Sequence, residues 1–178
     1  MIYEIPEMAK MFAAEAHKEP YDGVLPYTYH LSMVVDNLLS FGFTDNHVIC
    51  AGWLHDVLED TNRSYNDVKR LFGPDTADLV YAVTNELGKN RKERSVKTYP
   101  KIKGNYEATA LKLADRIANV EYGAMHGSEM WRLYYAELPV FEKGIRVPES
   151  EDNILKAMWI RLHRLLEGDA LLIARRPR

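Results

Sequence analysis

The chain has 178 residues, of which 47% are hydrophobic and 28% charged, with a formal net charge of −3 at pH 7 and a single cysteine, Cys50. These values are typical of a globular protein and argue against a disordered chain, a basic nucleic-acid-binding surface and a disulfide-stabilised domain. No window reaches the roughly 18 apolar residues of a membrane-spanning helix. From the length, the net charge and the single cysteine, we expect one cytoplasmic domain over residues 1–178 that binds neither nucleic acid nor a membrane.

Apolar residues recur at three- and four-residue intervals through most of the chain, which predicts helices nearly throughout. The first three predicted helices span Glu4–Lys18, Tyr29–Phe41 and Asp45–Glu59. Gly42 is expected to close the second as its C-cap. The third is apolar around much of its circumference, and we therefore expect it to be central in the fold.

The next segment predicts two short helices, the first with Ser64 as its N-cap and the second starting just after Pro74. Gly88–Lys103 has the weakest pattern and is expected to be irregular. Asn105–Tyr122 and Glu149–Ala174 again have helical spacing. Because no alternating pattern is long enough for a strand, the predicted fold is a single all-α bundle.

The third predicted helix carries four ionisable side chains where an apolar run should continue. Glu59 lies four residues after His55 and Asp60 four after Asp56, so that on a helix both pairs face nearly the same direction. Burying several carboxylates is expensive unless a cation holds them. Imidazole nitrogen and carboxylate oxygen are ligands that manganese, iron and zinc accept, so these residues predict part of a divalent metal site.

Two further candidate ligands lie on other predicted helices. His30 opens the helix after the first loop, and Asp115 is flanked by apolar residues in "LKLADRIANV". Lys112 and Asn119 fall three residues before and four after Asp115, so that an ammonium, a carboxylate and an amide share one face that could bind a metal and an anionic substrate. Taken singly, each residue also fits an ordinary helix position or a surface salt bridge. Their combination favours a site.

The order of these residues, His, then His-Asp, then a distant Asp, resembles the HD superfamily of metal-dependent phosphohydrolases, whose domain is an all-α bundle. Within it, the chain is similar to the hydrolase domain of the RelA/SpoT family and its small stand-alone relatives, which remove the 3′-pyrophosphate of guanosine tetra- and pentaphosphate (ppGpp and its pentaphosphate). The matching segments are "PYTYH" (26–30), "LHDVLEDT" (54–61), "FGPDTADLVYAVTNE" (72–86) and "LKLADRIANV" (111–120). The similarity covers about residues 13–120 and is weaker over the C-terminal helices predicted within 126–174.

The resemblance implies one divalent metal ion, Mn²⁺ or another transition metal in its place. It implies four ligands to that ion: His30, His55, Asp56 and Asp115. In this branch the Glu-Asp pair after the His-Asp ligands takes part in catalysis, which implies that role for Glu59 and Asp60. The asparagine four residues past the last ligand contacts the nucleotide, which implies that role for Asn119. The expected reaction is hydrolysis by a metal-activated water.

Phosphates remote from the metal need cations of their own. Lys112 is one candidate, and the basic segment "GKNRKERSVKTYPKIKG" (88–104) offers others. We predict that Arg91, Lys92 and Arg94 bind substrate, because they are nearest to the family-like "VTNE" segment. The expected partner is therefore a small phosphorylated nucleotide.

The loop before the first histidine departs from the branch. The branch usually has an Arg-Lys pair eight to nine residues before that histidine, where this chain has Tyr21 and Asp22. Tyr21 is then a candidate for stacking on a base.

Two other functions fit the same residues. An HD-type nucleotidase acting on a nucleoside monophosphate, or on another phosphorylated nucleotide, would use the same metal chemistry with a less cationic pocket. A non-catalytic nucleotide-sensing or partner-binding module would keep the metal residues for stability alone, but it would not need carboxylates one turn beyond the ligands. The sequence specifies no oligomeric state.

Overall fold

The computed structural model describes residues 4–127, 130–148 and 151–174. The helices in these ranges are α1 (Ile5–Ala16), α2 (Thr28–Ser40), α3 (Asn46–Leu54), α4 (Val57–Asp60), α5 (Tyr65–Phe72), α6 (Pro74–Val83), α7 (Arg91–Ile102), α8 (Tyr106–His126), α9 (Met130–Ile145) and α10 (Asn153–Ala174). The described residues form no β-strand, only an isolated bridge between Tyr21 and Leu25. The all-α prediction is confirmed, whereas a single domain over residues 1–178 stays a prediction.

Helix ends follow the capping residues that the sequence provides. Ser64 Oγ accepts a hydrogen bond from the amide of Asp67 at 3.2 Å, and Asp67 Oδ2 accepts one from the amide of Ser64 at 3.0 Å, which completes a capping box at the start of α5. Gly42 follows the end of α2 with a φ of +91°, a conformation that disfavours residues with a Cβ. Pro74 is the first residue of α6, where its missing amide proton costs nothing.

The core is built around α3 and α8. Every residue from Val48 to Leu54 is buried, and α3 packs against α1, α2 and α6. At Gly52, an added Cβ would come within 2.9 Å of Val35 Cγ2, so the glycine permits the close approach of α2 to α3. The long helix α8 packs against α2 and α10. The expectation that the third helix is central is therefore met.

The predicted helix Asp45–Glu59 is interrupted, which corrects the sequence analysis. Helix α3 ends at Leu54 and α4 begins at Val57, with Asp56 in the sparsely populated bridge region at φ −97° and ψ −4°. The Nδ1 atom of His55 lies 2.9 Å from the Gly52 carbonyl oxygen, which the amide of residue 56 would use in an uninterrupted helix. The interruption therefore coincides with two predicted metal ligands.

The segment expected to be irregular contains helix α7, a second correction. Asn90 caps it, since its side chain accepts a hydrogen bond from the amide of Glu93 at 3.0 Å. Glu93 and Lys97 then form an i,i+4 ion pair at 2.9 Å. The only buried residues of α7 are Thr98, Tyr99 and Ile102, near its C-terminal end. Its helical pattern is therefore carried mostly by charged helix-forming residues, which apolar periodicity does not detect.

Helices α7 and α9 pack closely together and form the outer wall beside α8. A Cβ at Gly144 of α9 would overlap the ring of Tyr99, so only glycine fits at this contact. Glu149, where the sequence predicts the last helix to begin, lies outside the described residues, and α10 starts at Asn153.

Candidate active site

The four predicted metal ligands converge at one end of a cleft. His30 comes from the first turn of α2, His55 and Asp56 from the interruption between α3 and α4, and Asp115 from α8. The Nε2 atoms of the two histidines are 3.3 Å apart. Asp56 Oδ2 lies 3.5 Å from Nε2 of His30 and 3.1 Å from Nε2 of His55. Asp115 Oδ1 lies 3.5 and 3.8 Å from the same two nitrogens.

This donor set fits a divalent cation. Donor atoms of His30, His55 and Asp56 all lie within 4.8 Å of one another, and Asp115 faces both imidazoles. The contact between His55 Nδ1 and a backbone carbonyl means that Nδ1 carries a proton, so Nε2 is directed at the centre and is the atom that would bind a metal ion in exchange for a proton. Two imidazoles with two carboxylates suit first-row transition metals better than they suit calcium or magnesium.

Electrostatics in the cluster favour ionised carboxylates next to positive charge. Burial opposes protonation of His55, but Asp56 and Asp115 outweigh it and raise the pKa of His55 to about 9. Burial likewise opposes ionisation of Asp56, yet His55 and His30 hold its pKa well below the usual range. For Asp115, Lys112 is the largest factor acting against burial, and the pKa of this carboxyl is lowered. The site therefore holds two carboxylates in the form that binds a metal.

A chain of polar contacts supports the ligand Asp115. Lys112 Nζ lies 3.0 Å from Asp115 Oδ2, and Asn119 Nδ2 donates to Asp115 Oδ1 at 2.6 Å. The hydroxyl of Tyr21 donates to Asn119 Oδ1 at 3.1 Å, and the Tyr21 ring stacks on His30 with centroids 4.9 Å apart. Three residues predicted to bind substrate thus also contact metal ligands or their supports.

The carboxylates one turn beyond the ligands have different partners. Asp60 lines the cleft and accepts a hydrogen bond from the Tyr27 hydroxyl at 2.8 Å. Glu59 accepts two hydrogen bonds from Asn85, one from its backbone amide at 2.7 Å and one from its side chain at 2.9 Å. Asp60 therefore faces the cleft, whereas Glu59, its neighbour in α4, is held by Asn85 and is not among the described residues that line the cleft.

Tyr27 and Asn85 are site residues that the sequence analysis did not identify. The hydroxyl of Tyr27 lies 2.8 Å from both Asp56 Oδ2 and Asp60 Oδ2, and its ring is stacked on His17 with centroids 4.0 Å apart. A signal existed for each residue. Tyr27 stands three residues before His30 within "PYTYH", and Asn85 belongs to the "VTNE" segment.

Replacing Tyr27 with phenylalanine is expected to lower turnover by about 10–100-fold, because hydrogen bonds to charged groups contribute roughly 1.5–3 kcal/mol. The substitution removes the hydroxyl that joins Asp56 to Asp60 and keeps the ring on His17. Steady-state hydrolysis rates measure the effect. Tyr29→Phe is the matched control, since Tyr29 makes a ring contact with Tyr122 and lies outside the cleft lining. Equal rates for wild type and Tyr27→Phe would show that the Tyr27 hydroxyl has no part in the reaction.

Positive side chains from two helices line the cleft, and one of them, Lys112, contacts the predicted ligand Asp115. Arg91 and Arg94 come from α7, and Lys112 and Arg116 from α8. Lys92, also predicted to bind substrate, is exposed and is not among the described residues that line the cleft. Arg116 was not identified from the sequence as a substrate-binding candidate. Cations are thus placed where phosphates extending from the metal would lie.

An all-α domain in which two histidines and two aspartates meet at a cationic cleft defines a histidine-aspartate metal-binding domain. The HD domain family model matches residues 9–140, and the chain belongs to this family. Membership implies a divalent metal, which the donor set above fits. Across the described residues, no helix is both long enough and apolar enough to cross a bilayer.

Several relatives carry names that describe one reaction. Guanosine-3′,5′-bis(diphosphate) 3′-pyrophosphohydrolase MESH1 of Drosophila melanogaster is 37% identical over 109 residues, which are 60% of this chain and 59% of the relative. Guanosine-3′,5′-bis(diphosphate) 3′-pyrophosphohydrolase of Aquifex aeolicus is 37% identical over 65% of this chain and 17% of its own length. The match thus spans about three fifths of the first relative and a small part of the second.

Two solved structures have similar folds. One, described as a metazoan ortholog of SpoT that hydrolyses ppGpp, aligns with a TM-score of 0.76 and 25% identity over 96% of this chain and 98% of that chain. The other, lmo0812 from Listeria monocytogenes EGD-e, aligns with a TM-score of 0.62 and 25% identity over 78% of this chain and 99% of that chain. The shared fold therefore covers nearly the whole length of each of the two solved chains.

Proposed function

We propose that this protein is a metal-dependent phosphohydrolase that removes the 3′-pyrophosphate of guanosine tetra- or pentaphosphate. One observation carries the proposal: a cluster of two buried histidines and two partly buried aspartates opens onto a cleft that is also lined by arginines. A metal next to a row of cations suits a substrate with several phosphates. The names of the relatives supply the nucleotide. We expect a cytoplasmic protein, as the single cysteine suggests.

The reaction needs charge neutralisation at phosphorus and a good nucleophile, because the phosphate oxygens repel an attacking anion. A bound divalent cation, Mn²⁺ in our proposal, supplies both by polarising a phosphate oxygen and lowering the pKa of water. The residues of the chain hold the ion and the substrate and move the protons. His30, His55, Asp56 and Asp115 would be the ligands.

We assign proton transfer to the two carboxylates of α4. Asp60 faces the cleft, and the Tyr27 hydroxyl that it shares with Asp56 remains protonated, because burial and then both aspartates raise the pKa of this phenol well above its usual range. Tyr27 thus acts as a fixed donor that orients Asp60. Glu59 is oriented by Asn85 instead. In this arrangement a carboxylate can take a proton from the attacking water and, once protonated, supply that proton to the leaving oxygen.

Phosphate recognition is assigned to Arg91, Arg94 and Lys112. Arg91 and Arg94 lie one helical turn apart on α7 and both line the cleft. Lys112 is buried beside Asp115, and although burial alone would lower its pKa, Asp115 and Glu59 outweigh that effect and raise it. A charged ammonium therefore lies next to the metal ligands, where the phosphate nearest the metal would bind.

A substrate panel tests the proposal. Release of pyrophosphate and of inorganic phosphate would be followed separately, with guanosine tetraphosphate, nucleoside triphosphates and nucleoside monophosphates as substrates. We expect Mn²⁺-dependent release of pyrophosphate from guanosine tetraphosphate, and its loss on chelation. Restoring activity with Mn²⁺, Mg²⁺ or Zn²⁺ in turn identifies the preferred ion. Unchanged activity after chelation would contradict the metal-dependent mechanism.

A second candidate is an HD-type nucleotidase acting on a nucleoside monophosphate, favoured by the loop before α2. Tyr21, where the resemblance leads one to expect a cation, stacks on His30 and bonds to Asn119. Asp22 accepts a hydrogen bond from Tyr122 at 2.8 Å. This side of the cleft thus lacks the two positive charges expected for guanosine tetraphosphate. In the same panel, inorganic phosphate from a monophosphate would identify this candidate, and no product from any substrate would favour a binding module.

A further inference from the structure

We infer that Glu137 of α9 is a positioning residue, which fixes the guanidinium of Arg91 in the cleft wall so that it can bind a phosphate group of the substrate. The inference rests on the proposed function and adds to it the origin of the phosphate-binding geometry. Glu137 lies 46 residues from Arg91 in sequence and on a different helix.

One carboxylate holds two arginines from two helices. Glu137 Oε1 accepts a hydrogen bond from Arg91 Nε at 2.5 Å, and Oε2 accepts one from Arg91 Nη2 at 3.2 Å. Arg116 Nη1 also donates to Oε2 at 2.9 Å. Burial opposes ionisation of Glu137, but Arg91 and Arg116 outweigh it and lower its pKa. Glu137 therefore ties α7 and α8 to α9 through a charged, bidentate contact.

The two arginines differ in what they can reach. The Arg116 side chain is only 8% exposed, and its guanidinium lies over the rings of Tyr134 and Phe141, at 4.6 and 4.4 Å from their centroids. Both arginines line the cleft, but the Arg91 side chain is 43% exposed. A guanidinium has five N–H donors, and Glu137 occupies only part of that number on Arg91. Arg91 is therefore the member of the pair with donors left for a dissolved anion.

Without the carboxylate, this corner of the cleft would hold two like charges. Arg116 is buried over two rings, whereas Arg91 has a partly exposed side chain whose guanidinium lies over one ring, Tyr134, at the longer distance of 5.4 Å. Repulsion would therefore be relieved by Arg91 turning away into solvent, where holding it against a phosphate costs side-chain entropy. Glu137 removes that repulsion and sets the orientation of Arg91 before substrate arrives. Preorganisation of this kind increases affinity.

Arg94 provides an internal comparison. It lies one turn beyond Arg91 on the same helix and lines the same cleft, but within the part of the chain that the structure describes it makes no ion pair. Arg94 can bind a phosphate without help from Glu137. Any effect of Glu137 on phosphate binding should therefore depend on Arg91 and be independent of Arg94.

A double-mutant cycle tests the inference. We expect Glu137→Gln to raise KM for guanosine tetraphosphate about tenfold, which corresponds to about 1.4 kcal/mol, with kcat changed less than about twofold. In an Arg91→Ala background the same substitution should raise KM less than about twofold, because the residue that it positions is absent. In an Arg94→Ala background it should again raise KM about tenfold. Glu137→Asp keeps the charge, and we expect it to restore part of the affinity.

Binding of inorganic pyrophosphate to the metal-free protein, measured by calorimetry on the same variants, provides a readout that needs no turnover. We expect the dissociation constant to follow the pattern described for KM.

A full effect of Glu137→Gln in the Arg91→Ala background would overturn the inference, since it would indicate a general structural role. So would tighter pyrophosphate binding by Glu137→Gln, since Glu137 would then compete with the anion. If Glu137→Gln does not fold, Glu137→Asp is carried through the same cycle. The two proposals can fail separately. If the variants show this pattern of pyrophosphate binding but the wild type does not hydrolyse guanosine tetraphosphate, the proposed function is refuted and the inference is supported.

Discussion

Replacing His55 with alanine is expected to abolish both metal binding and hydrolysis, with turnover lowered by roughly a thousandfold or more. The loss even of a residue that only supports a metal ligand typically costs about 10–100-fold in affinity or activity. His55 is buried, and its Nε2 atom lies 3.1 Å from Asp56 and 3.8 Å from Asp115. Its removal leaves two carboxylates facing each other across a site with a single imidazole.

Metal content of the purified variant, calorimetric titration with Mn²⁺ and hydrolysis rates measure this outcome together. His47→Ala is the matched control, because His47 is a half-buried histidine whose Nε2 lies 3.0 Å from each carboxylate oxygen of Glu107, outside the cleft. We expect it to retain metal and activity. A His55→Ala protein that bound one metal ion with wild-type affinity would refute the ligand assignment.

Replacing Glu59 with glutamine is expected to leave metal binding intact while lowering turnover by about a hundredfold or more, since general acid–base groups contribute roughly 10²–10⁴-fold. Glutamine has nearly the same shape but does not accept a proton at neutral pH. It can still accept one hydrogen bond from Asn85, which supplies two to Glu59. The result would separate proton transfer from metal ligation.

Manganese titration and single-turnover rates with the Glu59→Gln protein check this expectation. Glu86→Gln is the control. Glu86 is the residue after Asn85, and its carboxylate pairs with Lys101 of α7 at 2.6 Å rather than with Asn85. Loss of metal from Glu59→Gln would reassign Glu59 to support of the ligands, and wild-type turnover would leave Asp60 to carry out the proton transfer alone.

The convergence of the four proposed metal ligands could be predicted because the His-Asp pair is a local signal and the resemblance to the HD superfamily implied the full set. His55 and Asp56 are adjacent, both are followed by carboxylates, and Asp115 stands in an apolar setting that is unusual for a charged residue. Helix ends were predictable for the same reason, since the capping box at Ser64 depends on only four consecutive residues.

The partners of Asp60, Glu59 and Arg91 could not be predicted, because each of these contacts joins segments that are distant in the sequence. The bond from Tyr27 to Asp60 spans 33 residues, that from Asn85 to Glu59 spans 26, and that from Arg91 to Glu137 spans 46. Periodicity reports which face of a helix is apolar. It does not report which polar side chain of another helix meets that face.

The interruption at His55 illustrates a conflict between two local rules. Apolar spacing favours continuation of α3 through Glu59, whereas the histidine side chain takes the carbonyl of Gly52 on which continuation depends. In the structure the helix ends at Leu54, and the backbone at Asp56 adopts the bridge conformation, in which many active-site residues are found.

The two halves of the cleft belong to different parts of the fold. Metal ligands are attached to helices packed in the interior, where most substitutions would cost stability. Two of the arginines that line the cleft, Arg91 and Arg94, are attached instead to α7, most of whose residues face solvent. Substitutions at Arg91 and Arg94 should therefore cost little stability, whereas substitutions at the proposed metal ligands change residues anchored in the core. We therefore expect relatives with this fold to differ more in the residues of α7 that line the cleft than in the proposed metal ligands.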